Sequence, residues 1–172
     1  MTEELSPVRI ATAIDRPEVF RLLVQGHEEN GMFPWDPERL DWWLTRMLQP
    51  ELLSPLDADP RGVIGVIGGS EHLEALAFLV IGRLWYSTQR HLEEFIVYVD
   101  PVHRHSTHHK SLIEWMKNQS RLTGLRLMTG ILSLRPRTEA KVRLYQRYLP
   151  KAGAFFYFDP VTQNSSAVEM VH

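Results

Sequence analysis

The stretch HLEEFIVYVDPVHRHSTHHKSLIEW, residues 91–115, decides the fold. Phe95, Ile96, Val97, Tyr98 and Val99 are all β-branched or aromatic, the composition of a buried strand. Asp100-Pro101 ends that strand, because proline brings no N–H to a sheet ladder and restricts the residue before it. A short basic loop follows from Val102 to His105. Ser106 or Thr107 then caps a helix whose apolar positions are Leu112, Ile113, Trp115 and Met116. A strand, a tight basic turn and a helix N-terminus make a place for a phosphate, since orphan N–H groups and the helix dipole converge there.

Outward from this centre, elements alternate. Val8 to Ala11 is short and β-prone. Asp15 offers a cap and Pro17 a first-turn residue to a helix carrying Val19, Phe20, Leu22 and Leu23, and Asn30-Gly31 stops it. Asp36 and Pro37 open a second helix with Leu40, Trp43, Leu44 and Met47 on one face. Leu52 to Pro60 reads as a loop. Gly62 to Gly68 and Leu73 to Trp85 read as an antiparallel pair, with Gly82 a candidate bulge. The first of these lacks the G-x-G-x-x-G spacing of a dinucleotide loop, and no helix follows it. Beyond the central helix, which ends near Thr123-Gly124, come a strand from Leu125 to Leu132, a helix from Thr138 to Tyr148, and a strand from Ala154 to Phe158. There is no internal repeat and no interdomain linker. The reading is one mixed α/β or α+β domain over residues 1–172, with a core of about 8–158 and a tail or edge strand after it.

The 172 residues, 44% hydrophobic with five tryptophans, suit a folded domain with a full core. A net charge of −2 gives no reason to expect nucleic acid or a membrane surface as partner. The absence of cysteine excludes a disulfide framework, a thiolate metal site and a cysteine nucleophile. The first residues, MTEELSPVRI, hold no apolar signal core, so the expected location is the cytoplasm.

The central stretch resembles the acyl-CoA-binding motif of the GCN5-related N-acetyltransferases. In that family a Val-x-Pro step ends a strand, and an Arg/Gln-x-x-Gly-x-Gly/Ala turn opens a helix. Val99, Pro101, Arg104, Leu112 and Ile113 match; Thr107 and His109 stand where the family has glycines. Glycine lets backbone approach a phosphate and reaches φ > 0, which threonine does only at a cost. The order of elements also follows the family from about Val8 to Phe158. The resemblance implies a twisted, mostly antiparallel sheet of six to seven strands flanked by about four helices. It implies acetyl-CoA as acyl donor, an amine acceptor of unidentified kind (small molecule or protein), and a possible homodimer paired through the last strand or the tail.

Site residues follow from the same resemblance. The backbone of Val97, Tyr98 and Val99 would pair with the pantetheine arm and hold the thioester carbonyl. Arg104 and the N–H groups of His105, Ser106, Thr107, His108, His109 and Lys110 would face the pyrophosphate. Leu144-Tyr145 matches the family's Leu-Tyr pair, which makes Tyr145 the acid for the leaving thiolate and Tyr148 an alternative. For the amine's proton the family often uses a glutamate on the central strand. Glu93 and Glu94 are adjacent and so face opposite sides; Glu93 is favoured as sharing a face with Phe95, Val97 and Val99. Trp35 and Trp42 are either part of a core-packing face or an aromatic wall over the acceptor. The crowded histidines His103, His105, His108 and His109 raise the question of a metal, and His105 and His109 have a helical i, i+4 spacing. Without an acidic partner in the motif no metal is expected; donors to a phosphate are the preferred role. The rival to an enzyme is a domain of the same fold that binds without catalysing.

Overall fold

The computed structural model describes residues 4–31, 33–48, 62–131 and 138–153. The chain forms β1 (Arg9–Ile10), α1 (Arg16–Asn30), α2 (Pro37–Met47), β2 (Gly62–Gly69), β3 (His72–Arg83), β4 (Arg90–Val99), α3 (His108–Thr123), β5 (Arg126–Met128) and α4 (Thr138–Gln146). The strands lie in sequence order in one sheet. β1 to β4 pair antiparallel, and β5 joins β4 in parallel after the crossover through α3.

Local chemistry accounts for the boundaries. Asp36 accepts from the Arg39 N–H and caps α2, with Pro37 in the first turn. At α3 it is Ser106 whose hydroxyl oxygen accepts from the His108 N–H. Gly124 ends that helix at φ +69°, a left-handed position that glycine takes without strain. Asp15 precedes α1 but its side chain does not cap the helix. The fully buried carboxylate instead accepts from both Arg9 guanidinium nitrogens, at 2.6 and 2.8 Å, and from the Thr12 N–H. Those bonds, the Arg9 pair foremost, hold its carboxyl well below the usual carboxylate range.

The sheet separates two cores. On one face Val19, Leu22 and Leu23 of α1 and Leu44 and Met47 of α2 cover Ile64, Val66, Leu76, Phe78 and Tyr98. On the other, Leu112, Ile113, Trp115 and Met116 of α3 cover Ala75, Ala77, Leu79, Leu92 and Val99, and Tyr145 of α4 packs at its margin. Gly65 makes room for one of these contacts: a Cβ there would lie 2.8 Å from three carbons of the Trp115 indole.

Two expectations change, and others are not reached. Five strands are present among the described residues, against six to seven expected. The expected strand at 154–158, the tail, and the loop at 52–60 lie outside those residues. The bulge is not at Gly82, which pairs regularly with His91. The register shifts at two other places: on β3, where Ile67 pairs with Ala75 but Gly68 with Leu73, leaving Glu74 as the extra residue, and on β4, where Phe78 pairs with Ile96 but Leu79 with Glu94, leaving Phe95.

A candidate active site at the splay of the central strands

β4 and β5 pair only through His91–Arg126, Leu92–Leu127 and Glu93–Met128. Past Met128 the chain leaves β4, which runs on to Val99 paired with β3 on its other side. The wedge between them is a cavity of about 450 Å³. β4 lines it with Glu93, Glu94, Phe95, Ile96 and Val97, and Thr129, Gly130 and Ile131 line the other wall. Gly26, His27 and Asn30 of α1 reach it from one face of the sheet, while His109 of α3 and Lys141 and Tyr145 of α4 reach it from the other.

The bulge at Phe95 reverses the side on which each upstream residue of β4 stands. Glu94 pairs with Leu79 and so shares the α3 and α4 face with Val97 and Val99; Glu93 pairs with Val80 on the opposite face. The face deduced for Glu93 from simple alternation is therefore wrong. Its side chain is 52% exposed, and the His91 imidazole lies 3.8 Å from its carboxylate.

Glu94 instead meets Tyr145, whose hydroxyl donates to Glu94 Oε1 at 2.8 Å. Glu94 Oε2 is shielded from solvent and accepts no hydrogen bond among the described residues. Burial pushes the Glu94 carboxyl up to about 7, against the opposing pull of the Tyr145 hydrogen bond. Burial, then the Glu94 charge and hydrogen bond, push the Tyr145 phenol well above its ordinary value. The pair thus sets a carboxylate able to take a proton near neutral pH beside a phenol that keeps its own. Tyr148 follows α4 in a turn and packs toward the α3 core.

The turn after β4 is built without glycine and without strain. Thr107 has φ −81° and ψ 5°. Among the described residues no non-glycine residue has positive φ. Thr107 and His109 therefore do not force the backbone into a costly region, although each carries a side chain where the family motif has none. The His109 imidazole lines the cleft, and burial, with the charges of Arg104 and Lys141, pushes it down to about 4, so it is neutral at pH 7. The Thr107 hydroxyl donates to the Glu4 carbonyl, and Ser6 bonds to His108 and Ser111, so residues 4–6 lie along one side of the first turn of α3. His105 and Ser106 are exposed.

Arg104 does not point free into solvent. Its guanidinium donates to both Glu29 oxygens at 2.6 and 2.7 Å and to the Val99 carbonyl at 3.2 Å. The Tyr98 hydroxyl donates to the same Glu29 at 2.6 Å. Burial alone would raise Glu29; these hydrogen bonds outweigh it and hold its carboxyl below the usual range. Beside them Lys141 donates to Asn30 Oδ1 at 2.5 Å, linking α4 to the end of α1. Burial lowers the Lys141 ammonium. The sequence reading did not single out Glu29 as Arg104's partner, nor Lys141. Lys141 stands four residues before Tyr145, one helical turn away, and that spacing was the available signal.

The aromatic residues divide. Trp35 lines a second cavity of about 320 Å³ with Phe33, Leu40 and Trp43, next to the first, and His27 and Phe33 line both. Trp43 stacks edge-on against Phe78 and Phe95. Trp42 is 46% exposed, lines neither cavity, and carries the Arg46 guanidinium over its ring.

No protein-family model matches the sequence, and no curated protein matches it. Solved structures do match. One is a ribosomal-protein-alanine N-acetyltransferase from Brucella melitensis biovar Abortus 2308, 15% identical, with a TM-score of 0.61 over 89% of this chain and 96% of that one. Another is an aminoglycoside acetyltransferase from an uncultured soil metagenomic sample, 13% identical, with a TM-score of 0.63 over 91% of this chain and 99% of that one. A probable acetyltransferase is 20% identical, with a TM-score of 0.61 over 90% of this chain and 97% of that one. At these identities the likeness is one of fold: the chain has the fold of the GCN5-related N-acetyltransferases.

Proposed function

We propose that the chain is an N-acetyltransferase that moves an acetyl group from acetyl-CoA to an amine in a ternary complex. The observation that carries this reading is the buried Tyr145–Glu94 pair on the wall of the β4–β5 wedge. A cleft reached from both faces of the sheet lets two substrates meet end to end. When bound, acetyl-CoA supplies an activated acetyl thioester. The fit for it is a strain-free turn, a β4 backbone unpaired beyond Glu93 on the β5 side among the described residues, and cationic groups at Arg104 and Lys141. Val97, Tyr98 and Val99 would hold the donor's arm through their peptide groups, and the turn from Arg104 to Lys110 its phosphates.

Glu94 replaces Glu93 as the base in this reading. The ammonium gives its first proton to solvent on entering the wedge; the neutral amine then attacks the thioester carbon, and as the C–N bond forms and the C–S bond breaks the Glu94 carboxylate accepts its second proton. Tyr145 holds its proton at neutral pH and gives it to the departing sulfur, and Glu94 returns a proton to the phenolate through their shared hydrogen bond. Cleft walls of Phe95, Ile96 and Val97 exclude water from that transfer. Trp35 and Phe33 form the acceptor's wall, and Trp42 has no part in it.

One observation favours the non-catalytic rival: Glu29 already neutralises Arg104, the cation expected to meet the pyrophosphate. Calorimetric titration of the full chain with acetyl-CoA separates the readings. Micromolar affinity, followed by acetyl transfer to one of a panel of primary amines, is the expected result. Absence of binding at millimolar acetyl-CoA overturns the enzyme.

A further inference from the structure

Two histidines of the turn after β4 converge on one carboxylate of β3. His108 Nε2 lies 2.6 Å from Glu74 Oε2, and His103 Nδ1 lies 3.5 Å from the same oxygen. One donor atom from each of the three residues fits within 4.8 Å of the others. The two imidazoles stack, with centroids 5.7 Å apart and planes 25° apart. The acidic partner that the histidine-rich motif lacks locally is thus delivered from a strand about thirty residues upstream by the sheet. This cluster stands apart from the acyl-transfer cleft, whose walls include none of the three.

We propose that Glu74, His103 and His108 bind a divalent transition-metal ion of the zinc class, which fastens the 104–107 turn to β3. The donor set is one carboxylate and two imidazoles, with room for a water or an exogenous ligand as the fourth. Zinc bonds of about 2.0–2.1 Å in a tetrahedron set ligand atoms roughly 3.3–3.5 Å apart. The His103–Glu74 separation of 3.5 Å already has that value, and the His108–Glu74 pair has to open from 2.6 Å by less than a bond length.

Without a metal, each neutral imidazole can direct one N–H at the Glu74 carboxylate. A metal ion satisfies both lone pairs and the carboxylate together. The outer partners are in place for that state. Ser6 Oγ lies 3.0 Å from His108 Nδ1, the position from which it accepts the N–H of a metal-ligating ring. The Glu74 carbonyl accepts the Asp100 N–H at 2.8 Å, and the Asp100 carbonyl accepts the His103 N–H at 2.8 Å, so both ligands stand on bonded backbone. Access is open: the Glu74 and His103 side chains are about 30% exposed, while His108 is buried. A further imidazole, His72, has its ring centroid 6.0 Å from that of His103.

The test uses the full chain without added histidines, stripped of metal and titrated with cobalt(II) and then zinc(II). The expected result is one equivalent of cobalt with visible d–d bands of a low-coordinate site, displaced by zinc with micromolar or tighter affinity. His103→Ala and Glu74→Gln are expected to weaken zinc binding at least about tenfold. His105→Ala, in the same turn, leaves it unchanged. Zinc should also slow amide exchange at residues 104–107. Circular dichroism checks that each variant folds; because His103 sits in a partly exposed turn, its variant keeps the test open if His108→Ala fails to fold. Overturning results are wild-type binding no tighter than millimolar, or His103→Ala binding zinc as the wild type does. Acetyl-CoA titration of the metal-free chain is separate, so neither failure implies the other.

Discussion

The Tyr145 hydroxyl donates to Glu94 Oε1 across 2.8 Å, from α4 to the bulged strand β4, while Glu94 Oε2 stays unpartnered and dry among the described residues. A carboxylate so placed is stabilised mainly by one hydrogen bond and destabilised by burial, and the balance raises its pKa to about 7. That balance has consequences for stability and for activity, and they carry opposite signs.

Glu94→Gln should stabilise the protein above pH 7 and abolish most of the proposed transferase activity. The folded-state pKa of about 7 exceeds the unfolded value, so between roughly pH 4.5 and 7 the native state holds the extra proton. Stability therefore falls as pH rises through that window, by about 3 kcal/mol in total. The glutamine variant lacks the loss. Urea unfolding at pH 5 and pH 8 measures it: the wild type should lose stability between the two, and the variant should not. A variant less stable than wild type at pH 8 contradicts the buried-carboxylate description.

Tyr145→Phe removes the bond that holds the Glu94 pKa down. The apparent pKa in the profile of kcat/KM should then rise above its wild-type value, and kcat should fall by about 10²–10⁴. Acetyl-CoA affinity, measured by calorimetry, should change little. A variant with wild-type kcat would make Tyr145 a packing residue of the α3 core.

Glu29→Gln frees the Arg104 guanidinium from a pair closed at 2.6 Å. Removing one neutralising charge next to the turn proposed to bind phosphate is worth about 1 kcal/mol near a surface, so on that proposal acetyl-CoA affinity should rise roughly three- to tenfold at low salt. Calorimetry at two salt concentrations decides it. If affinity falls instead, Glu29 serves to aim Arg104 rather than to mask it.

Gly65→Ala places a methyl group 2.8 Å from the rigid Trp115 indole. Overpacking of this kind costs about 1–3 kcal/mol. The midpoint of urea unfolding should drop while the slope stays unchanged. Tryptophan fluorescence follows the displaced ring. A stability equal to wild type would show that α3 can lift from β2 without loss.

Much of this architecture is legible in one dimension. The run Phe95–Val99 codes a buried strand, Asp100-Pro101 its end, Asp36-Pro37 a helix start and Gly124 a helix stop, because each acts through backbone geometry within a few residues. Leu144-Tyr145 stood out only through the resemblance, as a match to the family's Leu-Tyr pair. What sequence periodicity misassigned was the side of β4 on which Glu93 and Glu94 stand, since alternation counts every residue and a bulge removes one from the count.

The sequence by itself determined the order of strands and helices and the turn after the central strand; the candidate phenol came from the resemblance. Only the tertiary structure decided which glutamate meets that phenol, that Glu29 claims Arg104, and that Glu74 closes on His103 and His108. Each of these is a meeting of side chains between separate elements. Propensities and caps act along the chain over a turn or two, whereas such meetings depend on sheet register and on how far a helix is set from the sheet, and those are settled by packing both cores at once.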